Sequence, residues 1–357
     1  MPRIRFIVAV ALSISLAACS SKKAAVPAST EVSESNAPRL FVTNEISGDL
    51  TVIDTGTAQV VATVSLGKRP RGIHASPDHK TIYVALSGSP IGGPNVDEST
   101  LPPPDHSFDG IGVVDVQTLK LVKILKSGND PENFDVSKDG RQIYISNEDD
   151  GLVSVLDIAS GTLVKSLKMG AQPEGVQVTP DGKLVYVTSE EDGNISVLDP
   201  AAGKILYTFP VGHRPRNVAF MPDGKRAYVN AENDGNVDVI DTVKHKRLKP
   251  ISIGKPGIIK PMDVILSPDA AKLYVSTGRG KQVFTVDTAT NKVLSSVEVG
   301  QRPWGIALSP DAKTLYSANG PSNDVSFVDL ATNTVTHKVK AGTGPWGVIV
   351  LDRSAGK

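Results

Sequence analysis

The chain has 357 residues, 39% hydrophobic and 21% charged, a balance that can bury a sizeable core and excludes disorder by composition. Lys plus Arg equals Asp plus Glu at 38 each, and this neutrality argues against a phosphate-tracking nucleic-acid binder, which carries a basic footprint. Cys19 is the only cysteine, so an intramolecular disulfide and a multi-cysteine metal centre are excluded.

Residues 1–18 are expected to be an export signal. Arg3 and Arg5 precede an apolar run from Phe6 to Leu16, followed by Leu16-Ala17-Ala18-Cys19. The run is shorter than the about 20 residues needed to span a bilayer. The Leu-Ala-Ala-Cys ending is similar to a bacterial lipobox, which implies lipidation of Cys19 and membrane lipid as a partner. The expected location is therefore the cell envelope, periplasm-facing or on the outer membrane. Removing the signal leaves 36 basic against 38 acidic residues. Residues 19–38, rich in Ser, Ala, Lys, Glu and Pro, read as a disordered tether.

From Leu40 a short strand-like segment recurs, starting at Leu40, Ile82, Ile143, Val185, Ala227, Leu273 and Leu315, at spacings of 42, 61, 42, 42, 46 and 42. A period in the low forties with alternating apolar residues is the mark of four-stranded propeller blades, and it lacks the 3.6-residue period of helical repeats. A Pro-x-Gly type segment precedes six of these copies, and a seventh, Gly344-Pro345-Trp346-Gly347, ends the series without a successor. The C-terminal segment is therefore expected to supply the innermost strand of the first blade, closing a ring of seven blades over 39–352 and leaving 353–357 as a tail. The fold class is all-β.

The residue after each proline should stand at the mouth of the central channel, because strand A is innermost. Around the ring these are Trp346, Arg71, Glu132, Glu174, Arg216, Met262 and Trp304. Half of the mouth is thus apolar and half charged, and the only two tryptophans occupy equivalent positions in neighbouring blades. A second ring on the same face holds Glu45, Glu148, Glu190 and Glu232 after strand B, with Arg69, Arg214 and Arg302 before their prolines. These charges admit two readings, ion pairing between blades or contact with a ligand. The spacing of 61 places about nineteen extra residues in blade 2, from Ser87 to Asp109, and such a loop can fold over the mouth. Its Asp97, Glu98, Asp105, His106 and Asp109 lack tight metal-ligand spacing.

The repeats resemble the YVTN-family β-propellers over nearly all of 39–352, on Tyr-Val-Thr-Asn variants and Arg-Pro-x-Gly-Ile-x-x-Ser-Pro-Asp segments. Ile143 to Asp150, Gln172 to Gly175, Arg214 to Arg216 and Gly344 to Val348 resemble the subgroup associated with pyrroloquinoline-quinone (PQQ)-dependent alcohol catabolism. That resemblance implies the fold and a place in the envelope. The chain holds no Gly-x-Ser-x-Gly elbow and no His-Glu-x-x-His. Without these the sequence singles out no catalytic residue and favours a non-catalytic propeller. Such a propeller would bind a small molecule or a periplasmic protein at the mouth and could serve quinoprotein oxidation. The alternative is a metal-assisted lactonase or hydrolase, holding Ca²⁺ on Glu132, Asn133, Glu174, Glu190 and Asn217. A DNA-binding propeller is the second alternative.

Overall fold

The computed structural model describes residues 2, 35–92 and 97–353. The expected signal, Cys19, the tether up to residue 34 and the tail after Arg353 lie outside the described residues. Ser35, within the segment read as tether, donates from its backbone N–H and its hydroxyl to Asp54 at 2.8 and 2.6 Å.

Among the described residues the β-structure forms seven antiparallel sheets, each running A-B-C-D from the channel outward. In the first blade, strand A is Pro345–Leu351, paired with Arg39–Asn44 so that Leu40 lies opposite Val350 and Val42 opposite Val348. This closure satisfies two strand edges that would otherwise be unpaired. In blade 5 the outer strand is broken into Lys246–Arg247 and Ile251–Ser252 around Leu248-Lys249-Pro250, and Pro250 has no N–H for the ladder.

Strand B residues are buried on both faces, as Leu40 to Asn44 are, because each blade is packed on both sides. The core is accordingly seven apolar clusters, one between each neighbouring pair of blades. Each buried Val, Leu, Ile or Phe contributes about 1.5–3 kcal/mol, so the ring is held by its blade interfaces.

The repeated motif also aims the mouth residues. The third residue of the Tyr-Val-Thr-Asn type segment reaches across to the next blade and donates to the carbonyl of its post-proline residue. Thr43 bonds Arg71 O at 2.8 Å, Ser146 bonds Glu174 O at 2.7 Å, Thr188 bonds Arg216 O at 2.6 Å and Ser276 bonds Trp304 O at 2.6 Å. The residue before the proline is left-handed in blade after blade: φ is +41° at Arg69, +44° at Asp130, +51° at Gln172, +53° at Arg214 and +48° at Arg302. For non-glycine residues this conformation costs about 1–2 kcal/mol. It is stabilised by a backbone bond from the residue after strand B, for instance Glu148 N–H to Asp130 O at 3.0 Å and Glu232 N–H to Arg214 O at 3.1 Å. Both rings of side chains therefore crowd onto one face.

Candidate functional site

That face opens into a cavity of about 1220 Å³, above the roughly 300–1,000 Å³ of a small-molecule pocket. All seven post-proline residues except Met262 and the two tryptophans are charged. All seven, namely Arg71, Glu132, Glu174, Arg216, Met262, Trp304 and Trp346, line the cavity. So do Glu45, Glu148, Glu190, Glu232, Arg69, Arg214 and Arg302 from the second ring. The described part of the blade 2 loop forms one wall through Pro90, Ile91 and Leu101 to Pro104.

The loop is pinned at its base. Asp109 accepts from Gly88 N–H at 2.6 Å and from Asp130 N–H at 2.9 Å, and it faces His106 Nδ1 at 2.7 Å. The Asp109 contact, ahead of the opposing effect of burial, raises the His106 pKa. Arg69 donates to the carbonyls of Ser89 and Pro90 at 3.0 and 3.2 Å while pairing with Glu45 at 3.0 Å. His106 and Asp109 thus anchor chain.

Two buried guanidinium groups organise the charged arc. Arg71, 2% exposed, meets Asp130 at 2.5 Å, pairs with Glu132, and lies 3.6 Å from Glu148. Arg216 meets Glu174 at 2.6 Å, Glu190 at 2.8 Å and Glu232 at 2.8 Å. Three carboxylates around one guanidinium hold the Arg216 proton well above the ordinary arginine range despite burial.

The acids fare differently according to how many cations each one touches. Glu232 is reached by Arg216, by Lys260 at 2.8 Å and by Arg214 at 3.6 Å. These cations overcome burial and hold its pKa at about 2. For Glu174 burial dominates, Arg216 offsets it only in part, and Glu190 and Glu148 add like charge, so its pKa is pushed up to about 8. Burial likewise pushes Glu148 up to about 7, against the pull of Arg71 and with the repulsion of Asp130 and Glu190. Burial raises a carboxyl pKa because it disfavours the charged form.

The apolar arc is assembled from Met262, Trp304 and Trp346. The indoles stack with centroids 5.3 Å apart and planes at 22°. Trp346 is only 8% exposed and Met262 3%, so the face offered to the cavity is mainly that of half-buried Trp304. The guanidinium groups of Arg216 and Arg302 each stand 4.9 Å from the Trp304 ring centroid, within the range of a cation–π contact.

The calcium set proposed from sequence is corrected by this geometry. Glu132 is paired with Arg71, and Glu174 and Glu190 with Arg216. Asn133 donates to Asn217 at 3.0 Å, and Asn217 in turn donates to Asp263 at 3.0 Å. The oxygens that a hard cation would need already serve guanidinium groups and amides, so these residues do not fit a Ca²⁺ site. Among the described residues no cluster of His, Cys, Asp and Glu has the geometry of a metal site.

Sequence reasoning passed over Asp130, Lys260 and the pairing rule between blades. The acid after strand B pairs with the pre-proline cation of the next blade: Glu45 with Arg69 and Glu190 with Arg214, each 24 residues on, and Glu232 with Lys260, 28 residues on. The longer separation reflects the four extra residues before Pro261 that make the 46-residue spacing. The constant 24 was the available signal. It shows at once that Glu148 faces Gln172, an acid whose cation is missing, and that Arg302 faces Gly278, a cation whose acid is missing.

Comparison with known proteins adds to this picture. A family model described as lactonase, seven-bladed β-propeller, matches residues 204–351, and one described as YNCE-like β-propeller matches residues 105–182. No curated protein matches the sequence significantly. Among solved structures, the hydrazine synthase of Kuenenia stuttgartiensis is 24% identical, with a TM-score of 0.67 over 82% of this chain and 92% of that one. The periplasmic gluconolactonase of Pseudomonas aeruginosa is 20% identical, with a TM-score of 0.72 over 88% and 99%. A provisionally named 6-phosphogluconolactonase of Bacteroides fragilis is 20% identical, with a TM-score of 0.72 over 89% and 98%. At these identities the structures speak for the fold.

The expectation of a non-catalytic binding or scaffold propeller is overturned by the lactonase family match over 204–351, which favours the hydrolase alternative. In the sequence that alternative stood second because the chain holds no Gly-x-Ser-x-Gly elbow and no His-Glu-x-x-His. With both family matches and seven closed blades, the chain is a seven-bladed β-propeller.

Proposed function

We propose that the protein hydrolyses a lactone at the channel mouth, with Glu148 as general base. The observation that carries this reading is a carboxylate on the cavity wall, 22% exposed, whose pKa burial brings to about 7. A base poised near the working pH combines a useful ionised fraction with the greatest proton affinity. The lactonase family match supports the reaction class.

In this reading a water between Glu148 and the ring carbonyl gives its proton to Glu148 as its oxygen bonds the carbonyl carbon. The negative charge that develops on the carbonyl oxygen lies in the field of Arg71 and Arg69. The ring C–O bond then breaks, and protonated Glu148 returns its proton to the departing ring oxygen, so the product is an open hydroxy acid. Glu174, which keeps its proton up to about 8, is a second acid on the same wall. The likeness to the PQQ-associated subgroup accords with this chemistry, since oxidation of a diol through its cyclic hemiacetal yields a lactone.

The test is proton release by the purified full chain, with δ-valerolactone, glucono-δ-lactone and dihydrocoumarin as substrates. Saturable hydrolysis of at least one ring, lost in Glu148→Gln, is expected. No acceleration of any of the three, or an undiminished rate in Glu148→Gln, would overturn the reading.

A further inference from the structure

The pairing rule isolates Arg302. In the Arg69, Arg214 and Lys260 pairs the acid after the preceding strand B neutralises the cation. At Arg302 that place is taken by Gly278, and among the described residues the guanidinium has neither ion pair nor hydrogen bond; its contact is the Trp304 ring at 4.9 Å. The glycine is not demanded by its backbone. A Cβ there would meet Met262 Sδ at 3.0 Å and Cγ at 3.1 Å, and Arg302 Cγ at 3.7 Å, so a flexible methionine has only to give a little.

We propose that Arg302 and the face of Trp304 form a binding position for the carboxylate of a monoanionic ligand with a flat, apolar body. An unpaired guanidinium presents two parallel donors that match a carboxylate, and it supplies one uncompensated positive charge. A phosphate dianion would leave excess negative charge beside Glu232 and Glu45, both close enough to act on Arg302. Burial, and then the neighbouring Arg216, make the Arg302 cation costly, a cost that a bound anion relieves. The stacked indoles and Met262 offer the apolar body a surface, with Leu101 and Pro102 of the loop also on the cavity wall.

The assignment rests on the cavity of the hydrolytic reading and names the charge and shape of a ligand that cavity takes, as the ring-opened hydroxy acid also carries a carboxylate, but its test reads binding and needs no turnover. Trp304 and Trp346 are the only tryptophans, so intrinsic fluorescence of the full chain reports on this position. Benzoate should change the emission saturably, while neutral benzamide and inorganic phosphate should not. Benzoate affinity should fall at least tenfold in Arg302→Gln. It should fall similarly in Gly278→Glu, which restores the acid found in the paired blades, and stay within about threefold of the parent in Gly278→Gln. Equal benzoate affinity in the parent and Arg302→Gln, no saturable change in the parent, or phosphate binding as tightly as benzoate would overturn the proposal.

Discussion

The arc of the mouth from blade 2 to blade 5 and the arc from blade 6 round to blade 1 are built from the same repeat positions but solve opposite problems. In the first, Arg71 and Arg216 are buried among six carboxylates, and all but Glu148, 3.6 Å from Arg71, meet a cation at 2.8 Å or less. In the second, glycines at 278 and 320 replace the acids of blades 6 and 7, and Met262 and the two indoles fill the post-proline positions. The difference teaches that chemistry is to be sought at the two places where balance fails, Glu148 in the charged arc and Arg302 in the apolar one.

The largest expected effect separates the two kinds of acid in the charged arc. Glu148→Gln should lower lactone hydrolysis by about 10²–10⁴-fold with no fall in melting temperature, whereas Glu45→Gln, which loses only its pair with Arg69, should retain most activity. Steady-state kinetics on both variants checks this. Next is the buried cation. Arg216→Met leaves Glu190 with Arg214 and Glu232 with Lys260, but Glu174 with no cation within 4.0 Å, and should cost about 3–5 kcal/mol in urea unfolding. Adding Glu174→Gln should recover part of that loss.

A smaller effect tests how the arcs are aimed. Thr188 donates to Arg216 O at 2.6 Å and accepts from Gly175 N–H at 2.8 Å. Thr188→Val leaves both groups buried without partners and should cost about 1–3 kcal/mol by the same unfolding measurement. The smallest effect sharpens the comparison most. Gln172→Arg gives Glu148 the cation that Glu190 has in Arg214, and should move the Glu148 titration to lower pH by about one unit, roughly 1.4 kcal/mol. The stability consequence follows from the sign of the shift. Glu148 folded keeps a proton that it would release near 4.5 when unfolded, so its contribution makes stability fall as pH rises from 4.5 to about 7. In Gln172→Arg that decline should shrink.

Much of this was legible in the sequence. The spacing of the strand segments and the unpaired Pro345 copy give the blade number and the closure, because a propeller needs the same turns in every blade. The position after each proline gave the mouth, and the only two tryptophans marked its apolar side. The pairing of Glu190 with Arg214 of the next blade was also written in the 24-residue spacing. What could not be read was burial. Glu148 and Glu232 occupy equivalent repeat positions, and burial together with the cations and acids around each one separates a pKa of about 7 from one of about 2. The calcium reading failed for the same reason: oxygens that look free in a sequence are held by Arg71 and Arg216.

The most direct measurement is the pH dependence of kcat/KM for lactone hydrolysis by the parent and by Gln172→Arg. A rise with a midpoint near 7 in the parent, displaced to lower pH in the variant, is predicted. A profile without that rise, or one that Gln172→Arg leaves in place, would contradict the account.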